Sequence, residues 1–338
     1  MVRTKRSRGI FMGENRSDSN EPIHFSVVVA NWNGEAFLAR CLSSALLSAR
    51  QVGRPFEVVV VDDGSTDASV EIVRRQFPQV RLLAGRENRG FAFTVNKGIA
   101  AARGRYIILL NNDIVVRESF CGALLRHFEN GDGRLFGVTA KTVEWDDRRP
   151  NYVKMDAIWR RGDLRLVWSD PPEAAATFFL QAGACAFVRE RFIELGGLET
   201  FFSPGYWEDF DLSWRAMARG WRNLYEPSSP ALHLGKASFR RLYDDVRLRQ
   251  LNARNQLLFL WANLSDARRV FSHCLWLPVR IGREVLAGRV DLLRALIRAF
   301  PKLAAVMQSR RRRARRRLVS DGDILASVDT QGSRLSEP

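Results

Sequence analysis

Short apolar runs alternate with amphipathic segments over the first third of the chain. Residues 24–30, 57–61, 80–83 and 106–110 are rich in valine, leucine or isoleucine and predict buried strands. The segments between them place apolar residues at helical spacing, as in Phe37, Leu38, Cys41, Leu42, Ala45 and Leu46. This alternation predicts an α/β fold with a doubly wound, mostly parallel central sheet and helices on both faces. Residues 130–176 show a less regular pattern.

Polar residues follow each of these four strands. They are Asn31-Trp32-Asn33, the run from Asp62 to Asp67, Asn88-Arg89-Gly90, and Asn111-Asn112-Asp113. In an open α/β sheet, ligands bind in the crevice beyond the carboxyl ends of the strands. Asn, Asp and Gly are also ordinary turn formers, so one such turn carries little information. Four in one series indicate a ligand-binding edge.

The acids at this edge suit two different tasks. Asp63 follows the second strand, where its carboxylate can accept hydrogen bonds from a nucleobase or ribose; the alternative is that it caps the next helix. Asp113 follows an apolar strand, and a carboxylate there is a natural ligand for Mg²⁺ or Mn²⁺ bridging a diphosphate. A single carboxylate provides too few ligands for a metal site, so a further ligand is needed. His233 is the right residue type to complete it, although a lone histidine is more often a packed or solvated residue.

The segment from Trp207 to Trp221 is the most specific in the chain. An apolar helical face is formed by Phe210, Trp214, Met217 and Trp221. Glu208, Asp209 and Asp211 then fall in the first turn of this helix. Acids at that place interact favourably with the helix dipole, which is the structural alternative to a catalytic role. We expect the helix field to keep a catalytic base there ionised at neutral pH and to lower its basicity.

Charge is concentrated at the ends of the chain. The formal net charge is +16, and residues 310–317 contain seven arginines. Four scattered cysteines, no apolar leader and no apolar run of about 18 residues favour a cytoplasmic protein. We expect a flexible basic tail over 1–22, a catalytic domain over 23–240, a basic amphipathic helical extension over 241–318 and a flexible tail over 319–338.

The C-terminal extension suggests a membrane partner. Its helical stripe consists of Leu292, Leu293, Leu296, Ile297, Phe300 and Leu303, with basic residues beside it. A basic amphipathic helix suits an anionic membrane surface, and the arginine run would add attraction to acidic headgroups. The alternative is that these helices pack on the catalytic domain. Nucleic acid is not expected as a partner, because the arginines have no interleaved aromatic residues and no recognisable binding fold accompanies them.

With these residues in view, the sequence resembles the family 2 glycosyltransferases of the GT-A fold, especially their bacterial rhamnosyltransferase-like branch. The resemblance covers roughly residues 24–240. It is carried by Ser26–Gly34, Val60–Asp67, Asn88–Ala92, Leu109–Ile114 and Tyr206–Arg215.

The resemblance implies a role for each part of the site. The nucleotide would be held by Ala30, Asn31, Asp63, Asn88, Gly90 and Asn112. Asp113 would close the metal-binding motif for Mg²⁺ or Mn²⁺, with His233 completing the metal shell. Asp209 would be the base, with Glu208 beside it, and the reaction would invert the anomeric carbon. Asn111 stands where many members have Asp, which leaves Asp113 as the only acid of that motif.

The expected function is metal-dependent, inverting transfer of a sugar from a nucleotide-sugar donor to a glycan or polyprenyl-linked acceptor in cell-envelope polysaccharide synthesis. The protein would be peripheral on the inner face of the cell membrane. The branch implies rhamnose, while UDP-sugars stay open, and the sequence leaves the oligomeric state open. One alternative is a nucleotidyltransferase, which would be expected to carry a Gly-rich loop with Lys or Arg where this chain has Asn31-Trp32-Asn33-Gly34. The other is a non-catalytic membrane- or nucleic-acid-binding protein with a vestigial crevice.

Overall fold

The computed structural model describes residues 21–129, 131, 133–145, 149–234, 244–328 and 334–335. The basic tail expected over 1–22 therefore lies almost wholly outside the described residues. The strands are β1 (Phe25–Asn31), β2 (Phe56–Asp62), β3 (Arg81–Ala84), β4 (Tyr106–Asn111), β5 (Ile114–Val115), β6 (Leu135–Glu144), β7 (Pro150–Tyr152), β8 (Lys154–Arg160), β9 (Asp163–Ser169), β10 (Ala175–Thr177), β11 (Ala184–Val188), β12 (Arg222–His233) and β13 (Arg334–Leu335).

Helices connect and cover these strands. They are α1 (Leu38–Gln51), α2 (Ser69–Gln76), α3 (Phe91–Ala101), α4 (Phe120–Glu129), α5 (Arg189–Leu195), α6 (Glu208–Ala218), α7 (Asp245–Asn263), α8 (Ala267–Leu286), α9 (Asp291–Ala299), α10 (Leu303–Ala314) and α11 (Asp321–Ala326). None of the described helices is both long enough and apolar enough to cross a lipid bilayer.

The central sheet confirms the predicted architecture. Its main path runs β10-β12-β6-β11-β4-β1-β2-β3, with β5 paired to β12 and β7 to β6. The four predicted strands form a parallel block in which β1 lies between β2 and β4. Strand β11 is antiparallel to both β4 and β6, so β4, β6 and β12 end at the same edge. The stretch over 130–176, irregular in sequence, contains the ten-residue strand β6 of the main sheet and several shorter strands, of which β8 and β9 form a hairpin outside the main sheet.

Side chains of β1 alternate between two cores, as the pleat of a strand requires. Val27 and Val29 pack with helices α1, α2 and α4 on one face. Val28 and Ala30 pack with α3, α5 and α6 on the other. Both faces of the central strands are covered, which explains why these strands read as unbroken apolar runs.

A third core joins the C-terminal helices to α6. Phe259 of α7 contacts Trp207 and Trp214, with ring centroids 5.2 and 5.7 Å apart. Leu258 and Leu260 are buried in the same cluster. Helix α7, expected at the start of an extension beyond residue 240, packs as part of the body that carries α6.

Helix α8 docks on the turn between β8 and β9. His273 pairs through Nδ1 with the carbonyl oxygen of Gly162 at 2.8 Å, and Arg280 forms a 2.8 Å ion pair with buried Asp163. A Cβ at Gly162 would lie 2.5 Å from the carbonyl oxygen of Ser272, so a glycine is required for this contact. The opposite side of α8 remains exposed.

Part of the C-terminal region packs on the folded chain. Of the predicted apolar stripe, Leu292 is buried where α9 packs on α7, whereas Ile297 and Phe300 are 60% and 58% exposed. The arginine run is not a free cationic tail, because Arg313 and Arg317 are partly buried and bonded to acids of the folded chain. The described helices of this region therefore combine faces that pack on the folded chain with apolar faces that remain exposed.

The tail expected over 319–338 also contains ordered structure. Helix α11 begins within it, and the fully buried carboxylate of Asp321 accepts hydrogen bonds from the amides of Ser265 and Asp266 at 2.8 and 2.7 Å. A buried charge with several donors fixes the segment that carries it, which the polar sequence from 319 onward did not suggest.

Candidate functional site

The ends of β1, β2 and β4 are joined by a network of buried amides and acids. The Nδ2 of Asn31 donates to Oδ2 of Asp62 at 2.7 Å, and its Oδ1 accepts from Nδ2 of Asn112 at 2.8 Å. A Cβ at Gly34 would lie 2.3 Å from both Asn112 Nδ2 and Asn31 Oδ1. The glycine therefore lets the chain pass close over the crevice floor, and the network fixes the strand ends relative to one another.

Asp63 holds the loop that precedes α3. Its two carboxylate oxygens accept hydrogen bonds from the amides of Arg89 and Gly90, at 3.0 and 2.8 Å. Asn88 supports the same amide of Gly90 through Oδ1 at 3.0 Å. Neither oxygen caps α2, the alternative named above. The expected nucleotide-binding residues Asp63, Asn88 and Gly90 thus lie together, because both side chains accept hydrogen bonds from the Gly90 amide.

A cavity of about 560 Å³ opens beside this loop. Its lining includes Asp62, Asp63, Arg86, Arg89, Phe93 and Lys97. The Arg89 guanidinium stacks 3.6 Å from the centroid of the Phe93 ring. A planar aromatic surface beside cationic groups suits an anionic ligand with a flat ring.

Asp113 and His233 meet at the same edge although 120 positions separate them. Nε2 of His233 lies 3.3 Å from Oδ2 of Asp113, because β12 pairs His233 with Ile114. Burial works to lower the pKa of His233, but the hydrogen bond and charge of Asp113, with the charge of Glu144, raise it above its ordinary value. The second oxygen of Asp113, Oδ1, is buried without a hydrogen-bond partner.

These two side chains alone would supply only part of a metal shell. Over the described residues, no three His, Cys, Asp or Glu side chains converge as a metal site would require. Asn111 occupies the position where many members of the resembling family have Asp. Its side chain lies beside Gly183, and its Oδ1 is also buried without a hydrogen-bond partner. An oxygen and an imidazole nitrogen are ligands that a divalent cation accepts, and a bound diphosphate would have to supply further oxygens.

The acids at the start of α6 differ in their surroundings. Burial, followed by the charge of Asp209, raises the pKa of Glu208 to about 8. Burial raises the pKa of Asp209 to about 6, although the backbone amides of Phe210 and Ala182 act to lower it. The backbone amides at the helix start act to lower the pKa of Asp209 as expected, but burial outweighs them, so the net shift is upward and not downward. Asp209 is a stronger base than predicted and is still mostly ionised at neutral pH.

One loop contacts both Asp209 and Asn111 at the end of β4. The Ala182 amide bonds to Asp209, and the Gly183 carbonyl accepts a 3.0 Å hydrogen bond from the amide of Asn111. The hydroxyl of Ser213 in α6 accepts from the amide of Leu180 at 2.9 Å. The loop between β10 and β11 therefore links Asp209 to the end of β4.

The turn that leads into α6 is strained. Tyr206 and Trp207 have φ angles of 71° and 75°, in the left-handed region that non-glycine residues avoid. Such residues cost about 1–3 kcal/mol each unless their surroundings hold them. Nδ2 of the fully buried Asn255 lies 2.7, 2.8 and 2.8 Å from the carbonyl oxygens of Phe202, Gly205 and Tyr206.

Sequence reasoning missed Asn255, which belongs to α7. The Trp207 indole is held in a similar way by Asn252 of the same helix. A buried asparagine within a leucine-rich helix is the signal that could have drawn attention to it, because a buried amide needs partners.

Comparison with known proteins places this geometry in context. Residues 26–185 match the model of a family described as glycosyl transferase family 2. The succinoglycan biosynthesis protein ExoO of Rhizobium meliloti (strain 1021) is 31% identical over 67% of this chain and 64% of its own length. The chain thus spans slightly less than two thirds of that relative.

Two further matches agree with the family and the fold. The N-acetylglucosaminyl-diphospho-decaprenol L-rhamnosyltransferase of Mycobacterium tuberculosis (strain CDC 1551 / Oshkosh) is 27% identical over 61% of this chain and 75% of its own. A crystal structure of GalNAc-T7 with UDP, GalNAc and Mn2+ superposes with a TM-score of 0.53 at 18% identity, over 72% of this chain and 48% of that one. At that identity the likeness shows the fold alone.

The titration of Glu208 tests the coupling of the two acids. Replacing Asp209 by Asn removes a negative neighbour, so we expect the pKa of Glu208 to fall by about one unit while burial keeps it above its ordinary value. The measurement is the pH dependence of the Glu208 carboxyl ¹³C shift in selectively labelled protein. The matched control is Asp67→Asn, an acid near the β2–α2 turn, which should leave the midpoint in place. An unchanged midpoint in Asp209→Asn would show that burial alone sets it.

Proposed function

We propose that this chain, which belongs to glycosyl transferase family 2 through residues 26–185, transfers a sugar from a nucleoside-diphosphate donor to a hydroxyl of a glycan or lipid-linked glycan, with inversion. We assign this reaction to cell-envelope polysaccharide synthesis. The observation that carries the proposal is Asp209, a carboxylate with a pKa of about 6, bonded to the loop that also holds the end of β4. A base poised just below neutral pH suits removal of a proton from a sugar hydroxyl.

The chemical step is a single displacement. The ionised carboxylate of Asp209 takes the proton of the acceptor hydroxyl as its oxygen forms a bond to the anomeric carbon. The bond from that carbon to the diphosphate breaks, and the electron pair leaves with the nucleoside diphosphate. Attack from the side opposite the leaving group inverts the anomeric centre. Glu208, whose pKa is about 8, is mostly protonated at neutral pH and does not compete with Asp209 for the proton.

The donor would lie along the strand-end crevice. We assign nucleotide binding to Ala30, Asn31, Asp63, Asn88, Gly90 and Asn112. The network around Asn31 and the loop held by Asp63 support this assignment, because hydrogen bonds within the chain already hold both in place without a ligand. Rhamnose is our first choice of sugar on the strength of the mycobacterial relative named as a rhamnosyltransferase, and that name also motivates a polyprenyl-linked acceptor.

Asp113 and His233 would hold a divalent cation, Mg²⁺ or Mn²⁺. Oδ1 of Asp113 is buried and has no hydrogen-bond partner, which is costly for a carboxylate oxygen. This supports a cation as its partner when the site is loaded. A bound cation would neutralise charge that develops on the departing diphosphate. His233 must be neutral to contribute its ring nitrogen, so the raised pKa of this group predicts weaker metal binding at acidic pH.

The role of Asp209 is tested by the substitution Asp209→Asn. An amide cannot accept the proton, so we expect the transfer rate to fall by about 100-fold or more while donor affinity changes less than about twofold. In the unaltered chain the rate should rise with pH through about 6, where Asp209 ionises. Product formation is followed with a panel of nucleotide sugars, and Glu71→Gln on the exposed side of α2 is the control. Normal turnover by Asp209→Asn would exclude this residue as the base.

The metal assignment is tested by direct Mn²⁺ binding in the presence of nucleoside diphosphate. Asp113→Asn and His233→Gln should each weaken binding by about tenfold or more, because each removes one ligand. Free Mn²⁺ is measured by electron paramagnetic resonance. His24→Gln is the control, since His24 precedes β1 at the opposite edge of the sheet. Unchanged Mn²⁺ affinity in both site variants, or full transfer in chelator, would remove the metal from the reaction.

We infer that the protein binds the membrane surface through the outer face of α8. Phe271, Leu275, Val279 and Leu286 are 70%, 57%, 41% and 89% exposed and fall on one side of this helix. Arg268, Arg283 and Arg289 are exposed along the same segment. An apolar stripe with arginines at its borders fits the interface of an anionic membrane, where the helix lies in the plane of the headgroups. Each nearby arginine adds about 1 kcal/mol of attraction.

The α8 surface is tested with vesicles that contain phosphatidylglycerol. Leu275→Glu should lower the partition coefficient by about tenfold or more, because one leucine no longer leaves water and a repelling charge is added. Leu47→Glu is the matched control, since Leu47 is 44% exposed on α1. Equal loss in both variants, or equal binding to phosphatidylcholine vesicles, would refute the assignment. A change of oligomeric state in Leu275→Glu would instead mark this face as a contact between copies of the chain.

A further inference from the structure

The carboxylate of Asp211 is the most heavily bonded acid of α6. It lies two residues beyond Asp209 and is fully buried. Nε of Arg215 and Nδ2 of Asn263 each donate to it at 2.8 Å. Arg313 adds a two-pronged contact, with Nη1 at 2.6 Å from Oδ1 and Nη2 at 3.1 Å from Oδ2. Every lone-pair direction of this carboxylate is thereby engaged.

Arg313 reaches this position from the basic run at the end of α10. Its side chain is only 14% exposed. The guanidinium also donates to Oδ1 of Asn263 at 2.6 Å and to Oε1 of Glu199 at 3.1 Å. A planar guanidinium that bridges three groups fixes their geometry as well as their charge.

The local helix geometry does not account for Arg313. Arg215 lies one turn after Asp211 and already forms the usual i, i+4 ion pair. Glu199 adds further negative charge nearby, and Arg215 alone would have to balance both Asp211 and Glu199. The second cation has to come from outside α6, and α10 supplies it.

We propose that Arg313 is a positioning residue for the base Asp209, acting through Asp211, so that the C-terminal arginine run completes the catalytic helix. This inference rests on the proposed function, because it assigns Asp209 the role of base. The contact holds the first turn of α6 at the same place where the strained residues Tyr206 and Trp207 enter it. Without Arg313, that turn would lose the tether that comes from the distant end of the chain.

The charge of Arg313 also reaches the titrating groups. Burial would raise the pKa of Asp211, but the charges of Arg313 and then Arg215 bring it below its ordinary value. Among the described residues, burial and then the charge of Asp209 raise the pKa of Glu208 on its own helix and the pKa of the Cys185 thiol on β11, and the charge of Asp211 also raises the pKa of Glu208. Removing Arg313 would leave the charge of Asp211, two residues beyond Asp209, less compensated, so we expect the ionisation of Asp209 to become harder.

The chain offers a matched control within the same helix. Arg311 carries the same charge and belongs to the same last turn of α10, but its side chain is exposed. Arg311→Gln therefore changes net charge and helix composition in the same way as Arg313→Gln without touching the buried contact. Arg313→Lys keeps the charge and removes the two-pronged geometry.

The experiment compares these three variants in the full-length protein. For Arg313→Gln we expect kcat to fall by about tenfold or more with the donor KM nearly unchanged, and the acid limb of the pH profile to move up by about half a unit. Arg313→Lys should restore the position of the limb but only part of kcat. Hydrogen exchange at the amides of Asp209 to Asp211 should become faster in Arg313→Gln. Arg311→Gln should match the unaltered chain in all of these measurements.

The outcomes separate a positioning role from a structural one. A lower melting temperature with normal kcat and an unmoved acid limb in Arg313→Gln would overturn the inference, as would an equal effect of Arg311→Gln. In the Asp211→Asn background, Arg313→Gln should lower kcat little further, because both substitutions break the same contact. Fully additive effects of the two substitutions on kcat would count against action through Asp211. Absence of sugar transfer by the unaltered chain would defeat the proposed function instead, while the exchange measurement would still test the contact.

Discussion

The structure depends on how three acids are buried within one helical turn. Removing a carboxylate from water is costly, and the chain meets this cost differently at each position. Asp211 is given two arginines and an amide and stays ionised, whereas Glu208 keeps an oxygen without a partner and holds its proton near neutral pH. Asp209 lies between these extremes with a pKa of about 6. Neighbouring carboxyl groups whose surroundings separate their pKa values can divide acid and base roles between them.

The sequence predicted the parallel block of the sheet and its polar edge because both are local properties. A run such as Phe25–Ala30 is buried on both sides, so it reads as a strand without any knowledge of its partners. The sequence alone could not predict that Asp113 and His233 lie close together. Their proximity depends on the pairing of β12 with β5, a contact between segments more than 100 positions apart, and no local pattern encodes such a pairing.

The features that sequence reasoning missed are those decided by long-range packing. An apolar stripe at helical spacing predicts that a helix has a covered face but does not say what covers it. In the structure α9 packs on α7, whereas one apolar face of α8 remains exposed. The arginine run had the same ambiguity, since Arg311 and Arg313 are chemically alike in the sequence and only one of them meets a buried acid. The helix field at Asp209 was estimated correctly in sign, but the burial that outweighs it is a tertiary effect.

Helix α7 connects the two proposals for the C-terminal region. Its Asn255 holds the turn before α6, and its Asn263 bonds to both Asp211 and Arg313. Helix α8, with the exposed apolar face, begins four residues after α7 ends and is anchored to the β8–β9 turn by Arg280. A membrane that binds α8 would thus orient the part of the protein that carries the proposed base, Asp209. For a lipid-linked acceptor, whose sugar can extend only a fixed distance from the bilayer, such an orientation determines which hydroxyl comes within reach of Asp209.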